Sequence, residues 1–136
     1  MSNIENTLSI IKPDAVARNL SQEIKAIFVK SGFTILKEKK IQITKDEAEK
    51  FYSVHQTKPF YSDLCNYLSS GPIVVMVLSK ENAVLDNRNL MGATNPQEAK
   101  EGTIRKKYGI SIDKNSVHGS DSIENAKLEI DFFFKS

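Results

Sequence analysis

The chain has 136 residues, 40% hydrophobic and 26% charged, with a formal net charge of +2. That is enough for one domain spanning 1–136 with a real core, and so small a charge argues against nucleic acid or a membrane surface as the main partner. No apolar run reaches the ~18 residues that would span a bilayer, no leader is expected, and the single cysteine excludes an internal disulfide. A cytoplasmic protein is expected.

Residues 7–11 read as a strand, stopped by Lys12-Pro13-Asp14 because proline lacks the donor a ladder needs. Lys12 is thereby set at the carboxyl end of a strand, either solvated or beside a cleft. Ser21 can cap a helix over 21–30, with Ile24, Ile27 and Phe28 at helical spacing and Gly32 as its stop. Phe33, Ile35, Ile41 and Ile43 keep odd-position parity across a long, charge-interrupted strand. Thr44-Lys45-Asp46-Glu47 is a capping box for a helix whose inner stripe is Ala48, Phe51 and Tyr52. After His55, the run Thr57-Lys58-Pro59-Phe60 breaks that helix. A short second helix carries Leu64, Cys65, Tyr67 and Leu68, with Cys65 read as core packing. Residues 73–78 are continuously apolar, which suits a central strand covered on both faces.

Asn82 opens another helix, which Gly92 closes. From 92 to 116, about 25 residues, the pattern fails, and a stretch that long is either functional or disordered. Asp121 with Glu124 begins the last helix, striped by Ile123, Ala126, Ile130, Phe133 and Phe134. The order is strand, helix, strand, helices, strand, helix, long loop, short strand, helix. It predicts an α+β fold, with an antiparallel sheet of split β-α-β units and helices packed on it.

The run Asn115-Ser116-Val117-His118-Gly119-Ser120-Asp121 concentrates the chemistry. It presents a histidine at a strand-to-helix turn, exposed on one side and fixed on the other. Imidazole ordinarily titrates near ~6.5, so much of it is neutral and nucleophilic at cytoplasmic pH. Gly119 would let a large ligand group approach the backbone. By itself the run also suits a structural histidine. Helical spacing puts Glu129 on the stripe of Ala126, Ile130 and Phe133, where a carboxylate needs a partner. His118 and Ser120 are the nearest candidates. A bond from one ring nitrogen to Glu129 would fix the tautomer and leave the other nitrogen as nucleophile; alternatively Glu129 grazes the stripe and reaches water. Arg88, Thr94 and Arg105 make a cradle for a polyphosphate. Glycine-rich phosphate loops and metal-binding histidine spacings are missing from the sequence, so a nucleotide would be held by side chains. Phe60 either offers its face to a base or packs in the core.

Together these residues closely resemble the nucleoside diphosphate kinase family over about residues 7–134. The 115–121 run is similar to the family's signature N-x-x-H-G-S-D, and Ile11-Lys12-Pro13-Asp14, Ser70-Gly71-Pro72, Met91-Gly92-Ala93-Thr94-Asn95-Pro96 and Gly102-Thr103-Ile104-Arg105 match further motifs in order. The resemblance implies reversible transfer of a γ-phosphate from a nucleoside triphosphate to a nucleoside diphosphate, by a ping-pong route through a phosphohistidine at His118. Glu129 would orient the ring and Ser120 would support Glu129. Lys12, Tyr52, Arg88, Thr94, Arg105 and Asn115 match phosphate- and sugar-contacting positions, Phe60 the stacking aromatic, and Leu64 and Ile112 apolar positions near the base. It also implies Mg²⁺ carried by the nucleotide, with no metal site in the protein and Asp121 reaching the ion at most through water.

The implied fold is a ferredoxin-like antiparallel sheet, and the implied assembly a homo-oligomer, a hexamer ahead of a tetramer. Two departures stand out. Lys58 occupies a position where the family often has arginine, and the sequence stops at Ser136, short of the tail some members carry, so a weaker assembly is expected. The rival class is a catalytically silent nucleotide- or nucleic-acid-binding regulator on the same fold. Such a relative would be expected to lack at least one of His118, Glu129, Ser120, Arg88 and Arg105, and all five are here.

Overall fold

The computed structural model describes residues 4–53, 56–59, 61–110 and 116–134. Among them run β1 (Ile4–Ile11), α1 (Pro13–Ala17), α2 (Ser21–Lys30), β2 (Thr34–Ile41), α3 (Lys45–Phe51), α4 (Tyr61–Leu68), β3 (Ile73–Glu81), α5 (Ala83–Met91), a 3-10 turn (Pro96–Glu98), α6 (Ile104–Tyr108), β4 (Val117–Gly119) and α7 (Ile123–Phe133). The strands form one antiparallel sheet in the order β2-β3-β1-β4. This is the α+β arrangement that the element order predicts.

Strand β3 lies inside the sheet, and its apolar run is buried on both faces. Val74, Met76 and Leu78 pack with Ile24 and Phe28 of α2 and with Ala83 and Met91 of α5. Ile73 and Val75 face the other way, toward Ala48 of α3, Cys65 and Leu68 of α4, and Phe133 of α7. Helices therefore cover both sides of the sheet, and Cys65 is core, as its apolar neighbours suggest. Strand β1 starts earlier than its apolar run, because Ile4, Glu5 and Asn6 pair with Glu81, Lys80 and Ser79.

The odd-position parity of β2 does not define one face. Pairing steps from Ile35↔Leu78 to Lys37↔Val77, leaving Leu36 as an extra residue, and this bulge turns the strand over. Phe33 and Ile35 consequently pack with α2 and α5, whereas Ile41 and Ile43 pack on the opposite face. Pro13 opens the one-turn helix α1, a position where its missing N–H has no partner to lose. Ser21 makes no capping bond, since Leu20 occupies the cap.

The capping box of α3 is present in both directions, with Glu47 N–H on Thr44 Oγ1 at 3.1 Å and Thr44 N–H on Glu47 Oε1 at 2.9 Å. Helix α5 follows a left-handed Asn82 that makes no capping bond, and Glu5 of β1 accepts from Val84 N–H instead. At α7 the cap is Ser122, whose Oγ accepts from Asn125 N–H, and not Asp121, which binds the Asn125 side chain. Ile123 is exposed and so drops out of the inner stripe. Within 92–116 lie the 3-10 turn and α6, the latter capped by Thr103. No helix among the described residues is long and apolar enough to cross a membrane.

Candidate active site

Strand β4 is only three residues long, yet it pairs with β1 so that His118 lies opposite Ile10. Val117 points into the α2–α5 core, so strand alternation turns His118 to the other face, toward α3 and α7. There its Nε2 lies 3.1 Å from Glu129 Oε1, and the same oxygen accepts from Ser120 Oγ at 2.9 Å. Ser120 is fully buried, and its hydroxyl also accepts the Leu8 N–H at 3.2 Å. Glu129 therefore does find its partners on the α7 stripe. The His118 and Glu129 side chains are 21% and 19% exposed, open to a ligand but shielded from bulk water.

Phe51 meets the imidazole edge-on, with ring centroids 5.3 Å apart, and is itself held by Tyr52, Phe132 and Phe133. The sequence places Phe51 only in a core stripe. Its contact with His118 depends on α3 meeting β4 across the sheet, for which no local signal exists. Tyr52 lies 6.4 Å from the same ring. Burial pushes the Tyr52 phenol well above its ordinary range, Cys65 and Glu129 add to the shift, and Arg105 opposes it.

Arg88, Thr94 and Arg105 line one cleft of about 590 Å³, together with Thr103 and Lys100. Arg88 and Thr94 are exposed there, whereas Arg105 is buried. Its guanidinium donates to Gly92 O and to Val117 O, both at 2.9 Å, so it grips the residue just before the histidine. Burial lowers the Arg105 pKa to about 10, with Tyr52 opposing the shift and Arg88 adding to it, which leaves it cationic at neutral pH. Gly92 has a φ of +88°, and a Cβ there would meet Thr103 Oγ1 at 2.6 Å. Glycine is thus required both for the turn and for the approach of α6.

Gly119 has a different reason from the one its place in the motif suggests. A Cβ would fall on Asn87 Nδ2 and 2.7 Å from Met91 Cε, so the missing side chain admits α5. Lys12 is buried at the end of β1, and its N–H donates to Ser116 O at 2.8 Å. Leu64 is half-buried on α4 and packs against the α3–α4–α7 core. Phe60, Ile112 and Asn115, as well as His55, lie outside the described residues.

A family model described as nucleoside diphosphate kinase matches residues 5–136. The chain belongs to the nucleoside diphosphate kinase family. It is 58% identical over 132 residues to a nucleoside diphosphate kinase of Campylobacter jejuni, covering 97% of this chain and 96% of that one. It is 59% identical over 131 residues to that of Nitratiruptor sp., with 96% of each covered. Among solved structures it superposes on the Aquifex aeolicus nucleoside diphosphate kinase with a TM-score of 0.96 at 38% identity, covering 98% of this chain and 97% of that one. The Encephalitozoon cuniculi enzyme gives 0.94 at 39% identity, with coverage of 97% and 90%. Nucleoside diphosphate kinases are phosphotransferases acting on nucleotides.

Proposed function

We propose that His118 carries the γ-phosphate between a nucleoside triphosphate and a nucleoside diphosphate in a ping-pong reaction. The observation that carries this reading is the 3.1 Å contact of His118 Nε2 with a Glu129 carboxylate that Ser120 also holds. An ionised carboxylate only accepts, so Nε2 bears the proton and Nδ1 keeps its lone pair. Nδ1 attacks Pγ, the bond to the β–γ bridging oxygen breaks, and that oxygen leaves on the nucleoside diphosphate. Glu129 stabilises the positive charge developing on the ring. A second nucleoside diphosphate then attacks the phosphorus, the N–P bond breaks, and His118 returns neutral.

Phosphoryl transfer asks mainly for positioning and charge neutralisation. Arg88, Arg105, Lys12 and Thr94 supply these, with Tyr52 and Asn115 as further contacts. Phe60, Leu64 and Ile112 take the base, and stacking tolerates any base. Among the described residues no three His, Cys, Asp or Glu side chains converge on a metal position. An ion carried by the nucleotide's own phosphates would have exposed Asp121 as a carboxylate to reach through water. Bound there, Mg²⁺ would supply neutralisation of the phosphate charge. The enzyme works as a cytoplasmic homo-oligomer, a hexamer ahead of a tetramer, and sedimentation showing only monomer at micromolar concentration would contradict that assembly.

The deciding experiment is incubation with γ-labelled ATP and no acceptor. An acid-labile, alkali-stable protein label is expected, transferred on addition of a nucleoside diphosphate and abolished in His118→Ala. Full labelling of His118→Ala would move the nucleophile elsewhere, with His55 the next to test.

A further inference from the structure

Ser116, two residues before the histidine, has a φ of +74° and is fully buried. A left-handed backbone at a residue other than glycine or asparagine costs roughly 1–2 kcal/mol and persists only where its surroundings impose it. The surroundings here are specific. Ser116 Oγ donates to Asp14 Oδ2 at 3.2 Å, and its carbonyl accepts the Lys12 N–H. Arg18 lies 3.4 Å from both Ser116 Oγ and Asp14 Oδ2 and also donates to Tyr108 O at the end of α6. The Tyr67 hydroxyl on α4 donates to Asp14 Oδ1 and accepts the Asp14 N–H at 2.7 Å.

The Asp14 side chain is 4% exposed and receives three donors from three different parts of the chain. A carboxylate offers acceptors on both oxygens, which an amide of the same shape does not, so the residue type matters and not merely its volume. One of those donors sets the backbone that leads into His118. Another belongs to the helix that also carries Leu64. None of this machinery touches the reacting atoms.

We propose that Asp14 is a positioning residue of the phosphotransfer, holding Ser116 so that the His118 strand keeps its place relative to Lys12 and α4. The inference rests on His118 being the nucleophile. The mechanism is preorganisation: a small swing at Ser116 displaces Nδ1 from the in-line approach to phosphorus, and errors of that size are expensive in rate. Nucleotide contacts from Arg88 and Thr94 are untouched, so affinity is retained.

The test is rapid-quench phosphorylation by labelled ATP at several concentrations, with each rate divided by the measured number of phosphorylatable sites. In Asp14→Asn one oxygen becomes a donor facing donors, and the saturated rate per site should fall about tenfold with half-saturation changed less than about twofold. Tyr67→Phe, which removes a single hydroxyl, gives a smaller fall of the same kind. Ser116→Gly relieves the backbone but loses the hydroxyl, so its rate falls while its unfolding midpoint does not. Wild-type rates per site in all three variants, with only thermal stability or site number reduced, would overturn the proposal and leave Asp14 a folding residue. Absence of label in the wild-type protein would sink the nucleophile reading as well, so the two failures are distinguishable.

Discussion

Replacing Ser120 by alanine should damage folding more than catalysis. Ser120 Oγ sits at 0% exposure between two partners, accepting from Leu8 N–H and donating to Glu129. Without it, the Leu8 N–H is left buried and unpaired, which costs about 1–3 kcal/mol. Glu129 loses one of its two hydrogen bonds, but at 19% exposure it can recover part of that from water, for a further loss of about 1 kcal/mol or less. The sum, about 1–4 kcal/mol, is a sizeable fraction of the ~5–15 kcal/mol that holds a domain together. His118 keeps its contact with Glu129, so the saturated rate at 25 °C should fall by less than about tenfold. Urea unfolding at fixed protein concentration, beside steady-state kinetics, measures both quantities. A destabilisation below about 0.5 kcal/mol would refute the argument that Leu8 has no other partner. A hundredfold loss of rate with unchanged stability would show that Ser120 acts on the reaction directly.

Arg88→Ala and Arg105→Ala should each lower kcat/KM by roughly ten- to a thousandfold, whereas Lys58→Ala loses less because an ammonium lacks the guanidinium fork. Comparable losses at all three positions would contradict that order. Gly119→Ala forces a methyl onto Asn87 and Met91, and urea unfolding should show a loss of about 1–3 kcal/mol. Asn87→Ala in the same chain should recover part of it. Burial lifts the Tyr52 phenol above its ordinary 10.0. Below that pH both folded and unfolded states are neutral, while above it only the unfolded state ionises. Stability should therefore fall by about 1.4 kcal/mol per pH unit above ~10, an increment that Tyr52→Phe removes. Parallel urea midpoints in the two proteins between about pH 9 and 11 would contradict this.

Much of the fold is legible because its signals are local. The capping box at Thr44 and the apolar run of β3 each state their outcome within a few residues. The pairing of His118 with Glu129 is legible for the same reason, since Glu129 lies on the helix that His118 shortly precedes and a helix has a fixed period. What escapes are features set by distant partners. The parity of Phe33, Ile35, Ile41 and Ile43 carries no mark of the bulge at Leu36, which exists because β2 must serve two cores. Helix α6 is too short for a periodic stripe and follows only from Thr103 as its cap. Gly119 sits in a motif that invites a ligand explanation, yet the neighbour that requires it is Asn87, 32 positions upstream. Phe51 likewise reaches His118 only after two layers have packed.

Arg105, one of the residues proposed to meet phosphate, also holds the strand that carries His118, and this changes how its substitution must be interpreted. Arg105 spends two of its donor nitrogens on Gly92 O and Val117 O, and Lys12 gives its N–H to Ser116 O. Val117 and Ser116 are the two residues leading into His118. Truncating Arg105 therefore removes the charge proposed to meet phosphate and also takes a donor from two carbonyls, one of them adjacent to the histidine. Exposed Arg88 has no backbone of this kind to support. Its loss should leave the strand in place, so that millimolar guanidinium in solution restores part of the activity of Arg88→Ala. The same additive cannot rebuild the buried bonds of Arg105, and Arg105→Ala should stay at its reduced activity at every guanidinium concentration that leaves the protein folded. Equal rescue of both variants would mean that Arg105 acts through charge alone and that the strand holds its position without it.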